Sequence, residues 1–187
     1  AMTLFLAGHE TTANALFWTL LLLAENPEAR AEIEAEIDAV LGERPLRYED
    51  LPRLPLTLAA LKEGMRLYPP AYILGRRAVR EVKLGGHTLL PNTVVFINIA
   101  GMHRRSDLFP DAGRFELRRF EGNREKSMPR YAYMPFGAGP RICIGNHFAL
   151  MEGHILLATL LRRVRLARPR GEVGTTPLIT LRPRGDT

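Results

Sequence analysis

Cysteine is almost absent from this chain: one residue, Cys143, among 187. An internal disulfide framework is therefore excluded, and the composition fits a reducing compartment or a single functional thiol. Long apolar runs are missing too. The longest, Ala15 to Ala24, is broken by Thr19 and is about half of the ~20 residues that a membrane-spanning helix takes. The opening Ala1-Met2-Thr3-Leu4-Phe5 has no charged stretch before it and runs into Gly8-His9-Glu10, which makes a secretory signal a poor reading. No repeat occurs, and Gly 16 and Pro 14 are scattered, which excludes collagen-like and low-complexity chains. Acidic residues fall short of basic ones, 20 against 26, for a formal net charge of +6. That surplus favours an acidic partner: a protein, a membrane surface or nucleic acid. What is present is globular. With 46% hydrophobic and 25% charged residues the chain can bury one sizeable core or two small ones, and it is too apolar to stay disordered.

Periodicity predicts a long helix over 2–25, apolar on nearly every face, with a polar break at His9-Glu10-Thr11-Thr12. Asn26-Pro27 opens a second, amphipathic helix over 27–41, which Gly42 ends. A Pro-containing connector leads to a third helix over 55–68, with Leu58, Leu61, Met65 and Tyr68 on one stripe, stopped by Pro69-Pro70. Strand patterns follow at Tyr72–Ala78, Val82–Leu84, Thr88–Leu90 and Thr93–Ile97. Residues 104–142 show little periodicity and many arginines, and a loop of that length is normally functional or disordered. A last helix is expected over 144–161, then strands at Val164–Ala167 and Leu178–Leu181. The fold class expected is mainly α with small β-sheets, α+β.

The strongest chemical signal is Phe136-Gly137-Ala138-Gly139-Pro140-Arg141-Ile142-Cys143-Ile144-Gly145. It sets the only thiol at the mouth of a helix, where free N–H groups and the helix dipole stabilise a thiolate, the form that ligates metals. Glycines let backbone N–H groups approach the sulfur, and Arg141 can bind an anion with two parallel bonds. A buried structural cysteine is the plain alternative. His147 follows Cys143 by four residues, but no second ligand pair accompanies them, which argues against zinc.

Phe, two glycines, Arg, Cys and Gly at this spacing resemble the signature of the cytochrome P450 superfamily, the haem-thiolate monooxygenases. The resemblance implies that Cys143 is the proximal ligand of a haem b iron. It implies that Arg141 pairs with a haem propionate, that Phe136 shields the sulfur, and that Gly137 and Gly145 shape the turn. Three further stretches match in order. Glu63 and Arg66, followed by Leu67-Tyr68-Pro69-Pro70, look like the family's Glu-x-x-Arg helix. Alone they would read as an exposed helical pair worth a few tenths of a kcal/mol. Arg119, in Phe115-Glu116-Leu117-Arg118-Arg119-Phe120, is the candidate third member of that charge network, although Leu117 stands where the family usually has Pro. Ala7-Gly8-His9-Glu10-Thr11-Thr12 resembles the oxygen-activation segment of the distal helix. There Ala7 and Gly8 leave room for dioxygen, Thr11 offers a hydroxyl to it, and Glu10 passes protons from solvent. Arg76 is implied as a second propionate ligand, with Arg77 on the opposite face of its strand. His103 follows the strand region and reads as a satisfied loop histidine.

By the same resemblance the chain is expected to be the C-terminal portion, 1–187, of one P450 domain, inactive alone. Its parent is expected to oxidise a small, mostly apolar substrate with dioxygen. Two basic clusters occur: Arg118, Arg119, Arg124, Lys126 and Arg130, then Arg162, Arg163, Arg165, Arg168 and Arg170. They suit an acidic ferredoxin- or flavodoxin-type electron donor or a flavoprotein reductase. Without interleaved aromatics they do not suit nucleic acid. A cytoplasmic location is the default and no membrane contact is expected of this stretch. The alternatives are a haem-thiolate peroxygenase or isomerase, a truncated haem-free interaction protein, and, least favoured, a cysteine hydrolase.

Overall fold

A computed structural model describes residues 2–122 and 124–184, with side chains from Ala7 onward. Helix α1 (Met2–Glu25) runs unbroken through the polar segment. Asn26 and Pro27 turn the chain into α2 (Pro27–Leu41), whose stripe Ile33, Ile37 and Leu41 is buried. A short 3-10 turn (Tyr48–Arg53) leads to α3 (Pro55–Leu67). The carboxylate of Glu36 on α2 caps α3, accepting from Leu56 N at 2.7 Å, Thr57 N at 3.0 Å and the Thr57 hydroxyl at 2.8 Å. These are the orphan donors of a helix that has no capping side chain of its own.

The expected stripe on α3 understates its position. Thr57, Ala59, Ala60, Leu61 and every residue from Glu63 to Leu67 are buried, because α1, α2 and α6 (Asn146–Arg163) all pack against α3. The helices approach closely through small residues. A methyl group on Gly64 would sit 2.2 Å from the hydroxyl of the fully buried Thr19 on α1. Gly64→Ala is therefore expected to cost ~1–3 kcal/mol by overpacking. Adding Thr19→Ala should recover part of that loss in urea unfolding.

After α3 come antiparallel pairs. Strand β1 (Ile73–Arg77) pairs with β4 (Val94–Asn98), and β2 (Val82–Leu84) pairs with β3 (His87–Leu89). A short helix α4 (Ile99–Met102) follows β4 directly. The described residues of the 104–142 stretch form a long loop with 3-10 turns at Leu117–Arg119 and Gly139–Arg141 and a one-turn helix α5 (Arg124–Ser127). The chain ends in a hairpin of β5 (Gly174–Pro177) and β6 (Leu181–Arg184).

Two strand expectations are corrected. Val164–Ala167 leaves α6 in extended backbone but forms no strand. Among the described residues no strand pairs with it, and the Arg30 side chain takes the Leu166 carbonyl at 2.8 Å instead. Leu178–Leu181 spans the hairpin turn rather than a strand, so that only Leu181 of the four lies in β6. The third helix stops one residue earlier than expected, at Leu67, with Tyr68 as its cap, and the last helix is Asn146–Arg163 rather than 144–161.

His103 fixes the long loop from within. It is fully buried, stacks on Tyr133, and its Nε2 accepts from Met134 N at 2.9 Å. The ring proton then sits on Nδ1, which has no partner among the described residues. Burial pushes its pKa down from 6.5 to about 4. Folding thus favours neutral His103, and that stabilisation, full above pH 6.5, is lost as pH falls towards 4. It is worth about 3 kcal/mol at most. The urea midpoint should fall over this window, with a flatter slope in His103→Gln; His154, also lowered by burial, contributes in both proteins.

Candidate functional site

The Cys143 turn owes its shape to two left-handed residues, Gly137 (φ 72°) and Gly139 (φ 71°), where any side chain would be strained. Met134 O accepts from Gly137 N at 3.0 Å, and Phe136 O accepts from Cys143 N at 3.0 Å. The second bond closes the loop and fixes the thiol just ahead of α6. Gly145 caps the helix, its carbonyl accepting from Ala149 N at 2.8 Å. Phe136 packs against the main core and anchors the turn. The turn also abuts β1, since a methyl on Gly137 would meet Leu74 at 3.2 Å. The thiol is exposed, and so are the apolar side chains beside it in sequence: Ile142 at 50%, Ile144 at 91% and Phe148 at 62%. Within this chain the thiol is thus no part of the packed core.

Arg141 is exposed, and its guanidinium has no partner among the described residues. Arg76 is exposed on β1 and donates only to the neighbouring Gly75 carbonyl, at 2.8 Å. Both are free to take an anion. Among the described residues no three His, Cys, Asp or Glu gather as a metal cage. A metal at Cys143 would thus have a single protein ligand. That donor set, a lone thiol with exposed apolar neighbours and two unengaged arginines, fits a haem.

On α1, Thr11 Oγ1 donates to Ala7 O at 2.7 Å, the back-bond that mid-helix threonines make. A methyl added to Gly8 would meet nothing within 4 Å among the described residues, so the helix flank is open there. Glu10 is not free. Arg182 on β6 clasps it through Nε to Oε1 at 2.8 Å and Nη2 to Oε2 at 2.7 Å, and the Thr180 hydroxyl donates to Oε1. These bonds hold its pKa down at about 2. Neither Thr180 nor Arg182 was legible as a site residue, since each lies some 170 positions from Glu10 with no motif around it.

Glu63 and Arg66 do not form the exposed helical pair that their spacing alone suggests: both are fully buried. Arg66 grips Glu63 with two bonds, Nε to Oε2 at 2.7 Å and Nη2 to Oε1 at 2.8 Å. Its remaining donors go to loop carbonyls: His103 at 2.8 Å, Ala112 at 2.7 Å and Arg114 at 3.1 Å. Glu63 Oε1 also accepts from Glu116 N at 3.0 Å and Arg119 Nε at 3.3 Å. Burial pushes the Glu63 carboxyl up, against the pull of Arg66, the Glu116 N–H and Arg119. Leu117 is buried at the start of its 3-10 turn and leaves this convergence intact.

The first basic cluster is less basic than its sequence suggests. Arg118 pairs with Glu32 and Glu121, Arg119 is taken by Glu63, and Lys62 nearby pairs with Glu125. In the second, Arg162 donates to Gly42 O at 2.7 Å and Arg44 O at 2.9 Å, whereas Arg163, Arg165 and Arg168 are exposed. Among the described residues no helix is long and apolar enough to cross a membrane.

Comparison with known proteins adds an independent line. Residues 1–183 match the Cytochrome P450 family. "Cyclooctatin synthase" of Streptomyces melanosporofaciens is 42% identical over 94% of this chain and 40% of its own length. "Cyclooctat-9-en-7-ol 5-monooxygenase" of the same organism is 40% identical over 94% of this chain and 38% of its own length. "Pentalenene oxygenase" of Streptomyces avermitilis is 37% identical over 96% of this chain and 40% of its own. Among solved structures, the cytochrome P450DA heme domain superposes with a TM-score of 0.91 at 30% identity, covering 97% of this chain and 41% of that one. The chain thus spans about two-fifths of the length of the relatives it matches. The thiol turn, the buried charge network and these likenesses agree: the chain belongs to the cytochrome P450 family.

Proposed function

We propose that this chain is the C-terminal portion of a P450 domain, and that it supplies the haem-binding and proton-handling part of a monooxygenase acting on a small, mostly apolar organic molecule. The reading rests on one observation above others: an exposed thiol, presented by a glycine-shaped turn at the mouth of α6, with no competing ligand cluster among the described residues. Bound haem would supply dioxygen activation, helped by electron density pushed from the Cys143 thiolate.

The chain's own residues have distinct tasks. Cys143 ligates, and its N–H, committed to Phe136 O, locks the sulfur's direction. Phe136 would shield the sulfur from water. Arg141 and Arg76 would hold the propionates of a haem b. Gly137 and Gly145 would shape the turn that presents the thiol to it. Ala7 and Gly8 would leave room for dioxygen. Thr11 turns its hydroxyl between the Ala7 carbonyl and the site, and Glu10 takes and returns protons at its carboxylate. The Glu63–Arg66–Arg119 network ties α3 to the long loop that ends in the thiol turn.

Electrons come, in this reading, from an acidic ferredoxin, flavodoxin or flavoprotein reductase. The exposed Arg163, Arg165 and Arg168, together with Lys126 and Arg130, give it a positive approach. A cytoplasmic setting belongs to the same reading. Support for oxygenation comes from the relatives, two of which are named as a monooxygenase and an oxygenase.

The test is a visible spectrum of the enzyme carrying this chain, reduced and exposed to carbon monoxide. A Soret band shifted to the red, as a thiolate-ligated haem gives, is the expected result. A haem without that shift, or a protein that binds no haem, overturns the reading.

A further inference from the structure

The last hairpin is bound to α1 along one helix face. Glu10, Asn14 and Trp18 follow at intervals of four, and all three reach it. Arg182 donates to both oxygens of Glu10, at 2.8 and 2.7 Å. Thr180 donates its hydroxyl proton to Glu10 and accepts from Asn14 Nδ2 at 3.2 Å. Trp18 Nε1 donates to the Leu181 carbonyl at 3.0 Å. Asn14, Trp18, Thr180 and Leu181 are buried, so this is a packed junction rather than a chance surface pair. The hairpin turn carries two apolar side chains into the open, Leu178 at 54% and Ile179 at 97% exposed.

This arrangement bears on Glu10. A carboxylate can deliver a proton only if it can first hold one. Here Oε1 has two donors and Oε2 has one, all from the hairpin, and each of these bonds favours the ionised form over the protonated one. The adjacent Thr11 has its hydroxyl proton committed to Ala7 O. The acid and the hydroxyl are thus parked on separate partners, although they are neighbours in sequence.

We propose that Arg182 and Thr180 are positioning residues for Glu10: they dock its carboxylate on the β5–β6 hairpin and hold it ionised, so that Glu10 readily carries a proton only when the hairpin lets go. The inference rests on the proton-handling part of the proposed function. The charged groups that face Glu10 are Arg182 from β6 and His9 from its own helix, and both favour the carboxylate.

The docking can be read without any cofactor. The carboxyl carbon of Glu10, labelled and followed by NMR against pH, should titrate near 2 in the wild-type enzyme carrying this chain. In Arg182→Leu the midpoint should rise by ~2 units, towards an ordinary glutamate. Arg182→Lys should restore part of the difference, and Thr180→Val should give a smaller rise. Hairpin amides should exchange faster in Arg182→Leu, while α3 amides keep their protection, which separates release of the hairpin from general unfolding. A midpoint unchanged by Arg182→Leu overturns the proposal.

The second readout is the acidic limb of turnover against pH in the haem-loaded enzyme. It should shift in the same direction as the Glu10 midpoint and be partly rescued by Arg182→Lys. A shifted midpoint with an unmoved limb overturns the positioning role. Absence of a thiolate-haem spectrum strikes the proposed function instead, and leaves the titration result standing.

Discussion

Arg66→Ala is expected to leave the chain largely unfolded at room temperature. Truncating one member of a buried ion pair costs ~3–5 kcal/mol, because the partner remains buried without its counter-charge. Here the damage extends further. Arg66 is also the donor to the carbonyls of His103, Ala112 and Arg114, so three acceptors of the long loop lose their partner at once. The bonds to His103 and Ala112 are buried, and each buried acceptor left alone costs ~1–3 kcal/mol where water cannot reach it. A domain of ordinary stability has only ~5–15 kcal/mol in total. Glu63 limits the loss by taking up a proton, since burial already pushes its carboxyl up, and by keeping the Glu116 N–H and Arg119. Glu63→Gln alone should therefore be milder than Arg66→Ala, because Arg66 keeps its three carbonyls. The double variant should be less damaging than the sum. Urea unfolding of the four proteins measures this, and strict additivity would show that the pair is not one unit.

Cys143→Ser should have the opposite profile. The thiol is exposed and touches nothing that the fold depends on, and its backbone N–H bond to Phe136 O does not need sulfur. Surface changes of this kind stay within about 0.5 kcal/mol. The urea midpoint should hardly move. The thiolate spectrum should vanish, because a hydroxyl at this position is neither readily ionised nor a soft donor to iron. Oxygenation should fall to background with it. A variant that kept the red-shifted carbon monoxide band would place the iron ligand elsewhere. Arg66→Ala and Cys143→Ser therefore separate what holds the chain together from what it holds.

The helices were legible because their signals are local. Asn26-Pro27, Gly42 and Pro69-Pro70 mark boundaries that the backbone obeys to within a residue. The strand pattern at 73–98 was legible for the same reason, with Gly85-Gly86 turning β2 into β3. What escaped depends on partners distant in the chain. Val164–Ala167 has a strand's composition, yet strands exist only in pairs, and among the described residues its neighbour is helix α2, whose Arg30 takes the Leu166 carbonyl, rather than a strand. Buried Arg66 looks like any helical arginine until the carbonyls of the long loop close over it. The same is true of Glu10, whose clasp arrives from the far end of the sequence. For the thiol turn the reverse holds: its glycines, arginine and cysteine all sit within ten residues, so its geometry could be read before any fold was known.

One further consequence follows from Trp18. It lies stacked on Tyr68 at 4.2 Å between ring centres, with its N–H on the Leu181 carbonyl, and it is the only tryptophan. Nature has thus wired a single fluorophore into the joint between the first helix, the end of the third and the terminal hairpin. Excited beyond the absorption of the five tyrosines, its emission reports on that joint within this chain: loosening there would change colour and intensity.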